Sequence, residues 1–142
     1  MTSRVLGPRG EQDERGQSVS VYVVIVTAAL IVTTGLVVDG GQKVAASSRA
    51  EGAAAGAARA AANAAATQAL AGRDSAGAGV LAAKAYLAGQ PDVSGSVSVK
   101  GGVVSVRTTS KATTIFLSVM GIDEVRAEGS ADANVVATGQ TR

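Results

Sequence analysis

Few side chains in this sequence are suited to catalysis. The 142 residues include no histidine and no cysteine, which removes the most common general base, the most common metal ligand, disulfides and thiolate metal sites. Serine and threonine are plentiful, but only lysine could activate them, and Lys84, Lys100 and Lys111 lie in no serine/lysine motif. The residues therefore predict that the protein is not an enzyme.

The remaining acidic and glycine-rich motifs also lack the spacing that chemistry needs. Asp123 and Glu124 are adjacent, so on a strand they would point to different faces, whereas an acid/base pair must converge on one substrate. The Gly77-Ala-Gly79 segment has no third glycine and follows no predicted strand, as a dinucleotide loop would require. We expect no cofactor, no metal and no small-molecule substrate.

Charge and aromatic content argue against nucleic acid as a partner. The net charge is only +2, from 13 basic and 11 acidic side chains that are dispersed along the chain. Tyr22, Tyr86 and Phe116 are the only aromatic residues that could stack on bases, and Tyr22 lies in an apolar run. The function must therefore depend on other kinds of contact.

That apolar run is the strongest feature of the sequence. Residues 16–38 carry no charge and are mostly Val, Ile, Leu, Thr and Ala. A helix of about 20 residues covers the roughly 30 Å hydrocarbon layer, and an isolated spanning segment must be helical because lipid offers no hydrogen-bond partners. The sequence predicts a transmembrane helix over residues 17–38, bounded by Ser18 and Val38, with the bilayer as a partner.

The run allows two other interpretations. It could be the core helix of a soluble protein, although so short a chain could hardly surround a helix that is apolar on all sides. It could be a cleaved secretory signal, since residues 44–47 resemble a signal-peptidase site. Against a signal, the run is longer than a signal core, and Asp39 and Lys43 intervene. A retained anchor is preferred.

Basic residues give the expected orientation. Arg4, Arg9 and Arg15 precede the span, whereas Lys43 and Arg49 follow it closely, so the positive-inside bias favours a cytoplasmic N-terminus by one charge. Residues 1–16 are expected to form a disordered cytoplasmic tail, and the C-terminal part is expected outside the cell membrane, as in a single-pass protein.

The residues after the span suggest a helical rod. Residues 39–71 are rich in alanine, the best helix former, and Gly40-Gly41 could be a hinge or be tolerated within one helix. Asp39 could pair with a basic group on a partner helix or simply mark the polar boundary of the span. Gly52 and Gly56 have the spacing that lets helices approach closely, although an Ala/Gly-rich tract produces such matches by chance.

Residues 72–142 predict a small α+β domain. Asp74 or Ser75 could cap a helix that stops at residues 89–91. Valines alternate with serines over residues 93–99, a Lys-Gly-Gly turn follows, and a return strand begins at Val104, which predicts a hairpin. Residues 113–120 predict a short amphipathic helix anchored by Phe116 and stopped by Gly121. Alternation over residues 125–135 predicts a final, half-exposed strand.

The N-terminal half resembles a known family. The segments that carry the resemblance are Arg-Gly-Gln-Ser-Val-Ser-Val at 15–21, Gly-Leu-Val-Val-Asp-Gly-Gly at 35–41, and the Ala-rich helix with Gln42 and Asn63. Over roughly residues 15–71 this order resembles TadE/TadG-like Flp pilus-assembly proteins, and the later strands look like their small extracytoplasmic domain. The resemblance implies a pilin-like architecture of α+β class, in which a membrane helix continues into a long rod and ends in a small head.

The implied function is that of a component of the Tad apparatus, which assembles type IV pili in bacteria. Its partners would be other pilus or secretion proteins or a second copy of the chain. One departure concerns processing: pilin-like members carry Glu five residues after the cleavage-site Gly, whereas Val21 stands five residues after Gly16. A membrane-retained assembly factor is therefore favoured over a minor pilin in the fibre. A cell-surface or secreted binding protein unrelated to pili is the third hypothesis.

Overall fold

The computed structural model describes the backbone of residues 13–135 and the side chains of residues 19–135. Two α-helices come first, followed by three strands with a short 3-10 helix between the last two. The elements are α1 (Asp13–Leu70), α2 (Ser75–Ala88), β1 (Val93–Lys100), β2 (Val103–Thr113), the 3-10 helix (Leu117–Met120) and β3 (Glu124–Asn134). The predicted α+β class is confirmed: one long apolar helix and one short helix accompany a three-stranded antiparallel sheet.

Helix α1 is one uninterrupted rod of 58 residues, about 87 Å long at 1.5 Å per residue. It passes through Gly40 and Gly41 without a break, so these glycines are tolerated within the helix and do not form a hinge. The predicted disordered tail is corrected at residues 13–16, which are helical, whereas residues 1–12 lie outside the described part of the chain. The helix ends before Gly72, which has a φ of 66°.

The two halves of α1 have different surroundings. In its most apolar 18-residue window only 6% of the residues are buried, and by length and composition the helix is a candidate membrane span. The window is therefore not the buried core helix of a soluble fold. The second half packs against the rest of the chain through a face of small side chains. The fully or almost fully buried members of this face are Ala46, Ala50, Ala53, Ala54, Ala57, Ala58, Ala61 and Ala65.

The sheet has the order β1-β2-β3, with β2 in the centre and both neighbours antiparallel to it. The predicted hairpin is confirmed, with Val97 opposite Val106 and a turn at Gly101-Gly102. Val104 and Val106 are fully buried against the alanine face of α1. Because alternate residues of a strand face opposite sides, the other side of the sheet is left to solvent.

Strand β2 runs antiparallel to α1, as three contacts demonstrate. Thr108 contacts Ala50, Arg49 contacts Ser110 and Lys111, and Asp39 contacts the residues that follow the strand. The end of β2 therefore lies beside the point where the apolar half of α1 ends. This arrangement places the β2–β3 connection at the same level as Asp39.

Helix α2 packs against α1 beside the edge strand β1. Its N-cap is Asp74, as predicted, with a side-chain oxygen that accepts a hydrogen bond of 3.1 Å from the amide of Gly77. Ser75 donates from its hydroxyl to the carbonyl of Val135 at 3.0 Å, which joins the start of α2 to the end of β3. The buried Leu87 closes the core on the side of β1.

The amphipathic helix predicted over residues 113–120 is wrong in extent and type. Strand β2 continues through Thr113, and only Leu117–Met120 is helical, with 3-10 geometry. Thr113, Thr114 and Ile115 are β-branched and favour extended backbone, and the amides of residues 115–117 bond to a carboxylate instead of to a helix. Gly121 does end the 3-10 helix, with a φ of 83°.

Gly129 sets how closely the sheet approaches α1. A Cβ at this position would lie 2.5 Å from the backbone carbon of Ala50 and from the amide nitrogen of Glu51. The neighbouring Thr108 uses the same gap: its hydroxyl is 2.7 Å from the Ala50 carbonyl and 3.2 Å from the Gly129 carbonyl. At Gly129, helix and sheet therefore meet backbone to backbone, with almost no side chain between them.

We predict that Gly129→Ala destabilises the fold by about 1–3 kcal/mol, because the added methyl must push the sheet away from α1. Gly52→Ala is the matched control: it adds the same methyl into open space on α1 and should stabilise the helix by up to about 1 kcal/mol. Denaturant unfolding of the full chain in detergent micelles measures both. Equal stability of the two variants would contradict the close approach.

Candidate functional site at the end of the apolar helix half

The candidate site is the β2–β3 connection, residues 114–123, together with the part of α1 that it covers. We call this connection the tip loop. It is closed at its base by a backbone hydrogen bond of 3.0 Å from the Thr114 amide to the Asp123 carbonyl, and the Thr114 hydroxyl donates to the Ile122 carbonyl. The loop is therefore a compact unit with a fixed position at the end of the sheet.

Asp39 holds the tip loop on α1. One carboxylate oxygen accepts from the Ile115 amide at 2.8 Å, and the other accepts from the amides of Phe116 and Leu117 at 3.0 and 2.7 Å. The side chain is almost fully buried, with 2% of its surface exposed. Three amide donors on one carboxylate form a charge-assisted cluster of the kind that is about twice as strong as neutral bonds.

These bonds keep the Asp39 carboxylate ionised. The hydrogen bond from the Ile115 amide, with smaller contributions from Leu117 and Phe116, lowers the pKa of Asp39 below its ordinary value, while burial acts in the opposite direction. The hydrogen-bond partners of Asp39 are backbone amides, and not the basic group on a partner helix that the sequence suggested. Its charge is balanced by amide dipoles of the same chain.

Phe116 packs on α1 at Gly35, one helical turn before Asp39. A Cβ at Gly35 would lie 2.3 Å from two ring atoms of Phe116, so the ring occupies the space that any other residue would need. Gly35 is inside the predicted span, and it is buried while the residues around it are exposed. Phe116 was predicted to anchor a helix over residues 113–120; its ring instead packs on α1, with 38% of its surface exposed.

The rest of the tip loop exposes large apolar side chains. Val119 is 87% exposed and Met120 is 78% exposed, and Ile115 and Ile122 are also largely exposed. No charged residue occurs between Lys111 and Asp123. Exposed apolar side chains that are contiguous mark an interaction surface more often than isolated ones do.

One of the two predicted span boundaries coincides with a change in burial. Ser18 lies within α1, and its side chain is outside the described set. From Val19 to Val38 the apolar side chains are exposed, and the next residue, Asp39, is buried by the tip loop. The boundary at Val38 therefore coincides with the point where the head begins to cover α1.

Gly52 and Gly56 do not form one packing surface. A Cβ at Gly56 would meet the Tyr86 hydroxyl at 2.3 Å, so this glycine accommodates α2 of the same chain. Gly52 faces open space. The exposed small residues that do share a helix face, at spacings of four, three and four, are Gly41, Ala45, Ser48 and Gly52.

Away from Asp39, the acidic residues considered in the sequence lie at the surface of the head. Glu124 is exposed and pairs with Lys111 at 3.2 Å, and Asp123 is exposed beside it. No group of three or more Asp or Glu side chains among the described residues could hold a metal ion. An open depression of about 850 Å³ on the head is lined by Glu51, Arg107 and Glu128 together with small residues, and it lacks the enclosure of a typical small-molecule site.

Comparison of the chain with protein-family models, curated proteins and solved structures returned no match.

Sequence reasoning singled out Asp39 and Phe116 but missed that they meet. The sequence feature that could have indicated this contact was Gly35, a single glycine in a run of bulky residues, one helical turn before Asp39. A glycine in such a place indicates close approach of another group, although the sequence does not identify which group approaches.

We predict that the tip loop loosens in acid. Because the pKa of Asp39 is lowered in the folded state, its contribution to stability is fully present above its ordinary pKa of 3.8 and is lost as the pH falls through the folded value. Hydrogen exchange at the amides of residues 115–117, corrected for the intrinsic pH dependence of exchange, should accelerate over this acidic range.

Asp39→Asn tests the assignment at neutral pH. The amide has one acceptor oxygen and presents N–H groups to donors, so exchange at residues 115–117 should be fast at neutral pH and should show no further acid step. Asp123→Asn, an exposed carboxylate at the other end of the loop, is the control and should behave like the native chain. Slow exchange in Asp39→Asn would refute the role of the carboxylate.

Proposed function

We propose that the chain is a membrane-anchored, TadE/TadG-like component of a Tad/Flp pilus-assembly or secretion apparatus that acts through protein–protein contacts. In this proposal residues 17–38 cross the cytoplasmic membrane with the N-terminus inside, and residues 39–142 are extracytoplasmic. The support comes from the sequence resemblance and from the shape of the described part of the chain.

The observation that carries the proposal is the division of α1 into an exposed apolar half and a covered small-residue half. Large apolar side chains on the first half are mostly more than half exposed, for example Leu30 at 64% and Val32 at 68%. Apolar surface costs about 25 cal/mol per Å² in water, so a continuous band of this kind needs lipid or protein around it. A bilayer matches its length.

The pilin-like part of the proposal is supported by the way the head is attached. The resemblance implies a membrane helix that continues into a long rod and ends in a small head. Here one long helix carries the sheet on its C-terminal half, and its apolar half projects.

A contact surface is available on the rod. The exposed strip of Gly41, Ala45, Ser48 and Gly52 lies on α1 just beyond the proposed membrane, and small residues at this spacing allow another helix to approach closely. The strip supports a function based on protein–protein contacts, and it provides a defined position for a crosslinking experiment.

In-cell photocrosslinking tests the proposed function. A photoreactive residue at Ser48 should give discrete higher-mass adducts in host cells that express the whole apparatus, and these adducts should vanish when the apparatus genes are deleted. The same residue at Lys100, in the exposed hairpin turn, is the control and should give few adducts. Recovery of Ser48-labelled protein only as a monomer would count against the proposal.

A minor pilin is the second candidate, because the exposed apolar half of α1 could also pack in the centre of a fibre. The mature N-terminus distinguishes the two. Since Val21 replaces the Glu of the pilin processing site, we predict that mass spectrometry of the cellular protein finds the chain intact before Gly16. A start at Gln17 would favour the fibre subunit instead.

A further inference from the structure

We propose that the tip loop is a second membrane contact, inserted into the outer leaflet of the bilayer beside the spanning helix. This inference deepens the proposed function and rests on its membrane anchor. It assigns a lipid partner to residues 115–122, a surface outside the apolar run. Three features of the loop support this contact: its depth, the position of the charges around it, and the chemistry of its exposed side chains.

The depth follows from Phe116. Its ring lies directly on Gly35, which is three residues, or about 4.5 Å along the helix axis, inside the end of the apolar run at Val38. If the run is in lipid, the residue that touches Gly35 is at the depth of the lipid as well. The loop therefore cannot be held clear of the bilayer without leaving α1, to which three hydrogen bonds attach it.

The charges stop at the level where the headgroups would lie. Ala112 packs on Ala46 of α1, and the charged residues near that level are Lys43 on the helix and Lys111, Asp123, Glu124 and Arg126 at the end of the sheet. Beyond these residues, within residues 115–122 of the loop and residues 19–42 of α1, the one carboxylate is Asp39, which is buried and bonded to three amides. Its charge does not face lipid.

The exposed side chains are those that a lipid environment favours. Val119 and Met120 project away from the protein with most of their surface uncovered. In water this exposure is unfavourable, whereas a side chain that is directed sideways from α1 at the depth of Gly35 would enter the bilayer. Apolar side chains on a loop backed by a fixed scaffold are typical of interfacial membrane contacts.

Tryptophan fluorescence in vesicles tests the inference with little background, because the sequence has no tryptophan. The full chain would be reconstituted in phosphatidylcholine/phosphatidylglycerol vesicles as Val119→Trp and, separately, as Met120→Trp. Both positions are exposed, so the larger ring should not disturb the fold. We expect blue-shifted emission and quenching by lipids brominated on the acyl chain.

Two matched variants calibrate the result. Leu81→Trp changes a residue of α2 that is 70% exposed but packs far along the rod, and Val32→Trp changes an exposed residue of the proposed span. Quenching of the loop tryptophans should be several-fold stronger than quenching in Leu81→Trp. It should not exceed the quenching in Val32→Trp.

Three results would contradict the inference, and each can be told from the others. If Val32→Trp is quenched but both loop variants match Leu81→Trp, the loop lies outside the lipid and the inference is overturned while the anchor stands. If the loop emission is blue-shifted without bromine quenching, a protein surface such as a second copy covers the loop, which also overturns the lipid assignment. If Val32→Trp itself is not quenched, the anchor and the inference fail together.

Discussion

The seam between α1 and the sheet is built from small side chains, and the other features of the molecule depend on it. Alanines on the helix, Gly129 on β3 and Thr108 on β2 bring the two backbones into contact, with a hydroxyl bridging them at 2.7 Å. Each alanine buries little area, so the seam gains from close packing over a long interface and not from large anchors. It also fixes the head at one position along the rod.

That fixed position connects the apolar half of α1 to the head. Because β2 runs antiparallel to α1, its far end returns to the level of Asp39, where the tip loop is capped by the carboxylate and Phe116 fills the space over Gly35. Helix α1 is thus apolar and exposed before Asp39, and it is covered by the head after Asp39. An exposed band that ends where a covered surface begins is the physical basis for proposing an anchor with a rigidly attached head.

Much of this fold follows from local patterns in the sequence. The Val/Ser alternation with Gly101-Gly102 predicted the hairpin, and Asp74 predicted the start of α2, because turns and caps are determined by residues that are close in sequence. The tip loop was mispredicted as a helix because its conformation is set by Asp39, which is 76 to 78 residues away. The continuity of α1 through Gly40-Gly41 likewise depends on context that spacing does not reveal.

Residue-resolved hydrogen exchange of the full chain in bilayer nanodiscs tests the central claim most directly. If α1 is one helix that serves as both the anchor and the wall of the head, protection should extend from about Val19 to Ala65 without a gap at Gly40-Gly41. The lipid-embedded amides should exchange most slowly, since water is excluded there. Rapid exchange at Gly40-Gly41, or exchange of the apolar half at the rate of a solvent-exposed helix, would contradict the account.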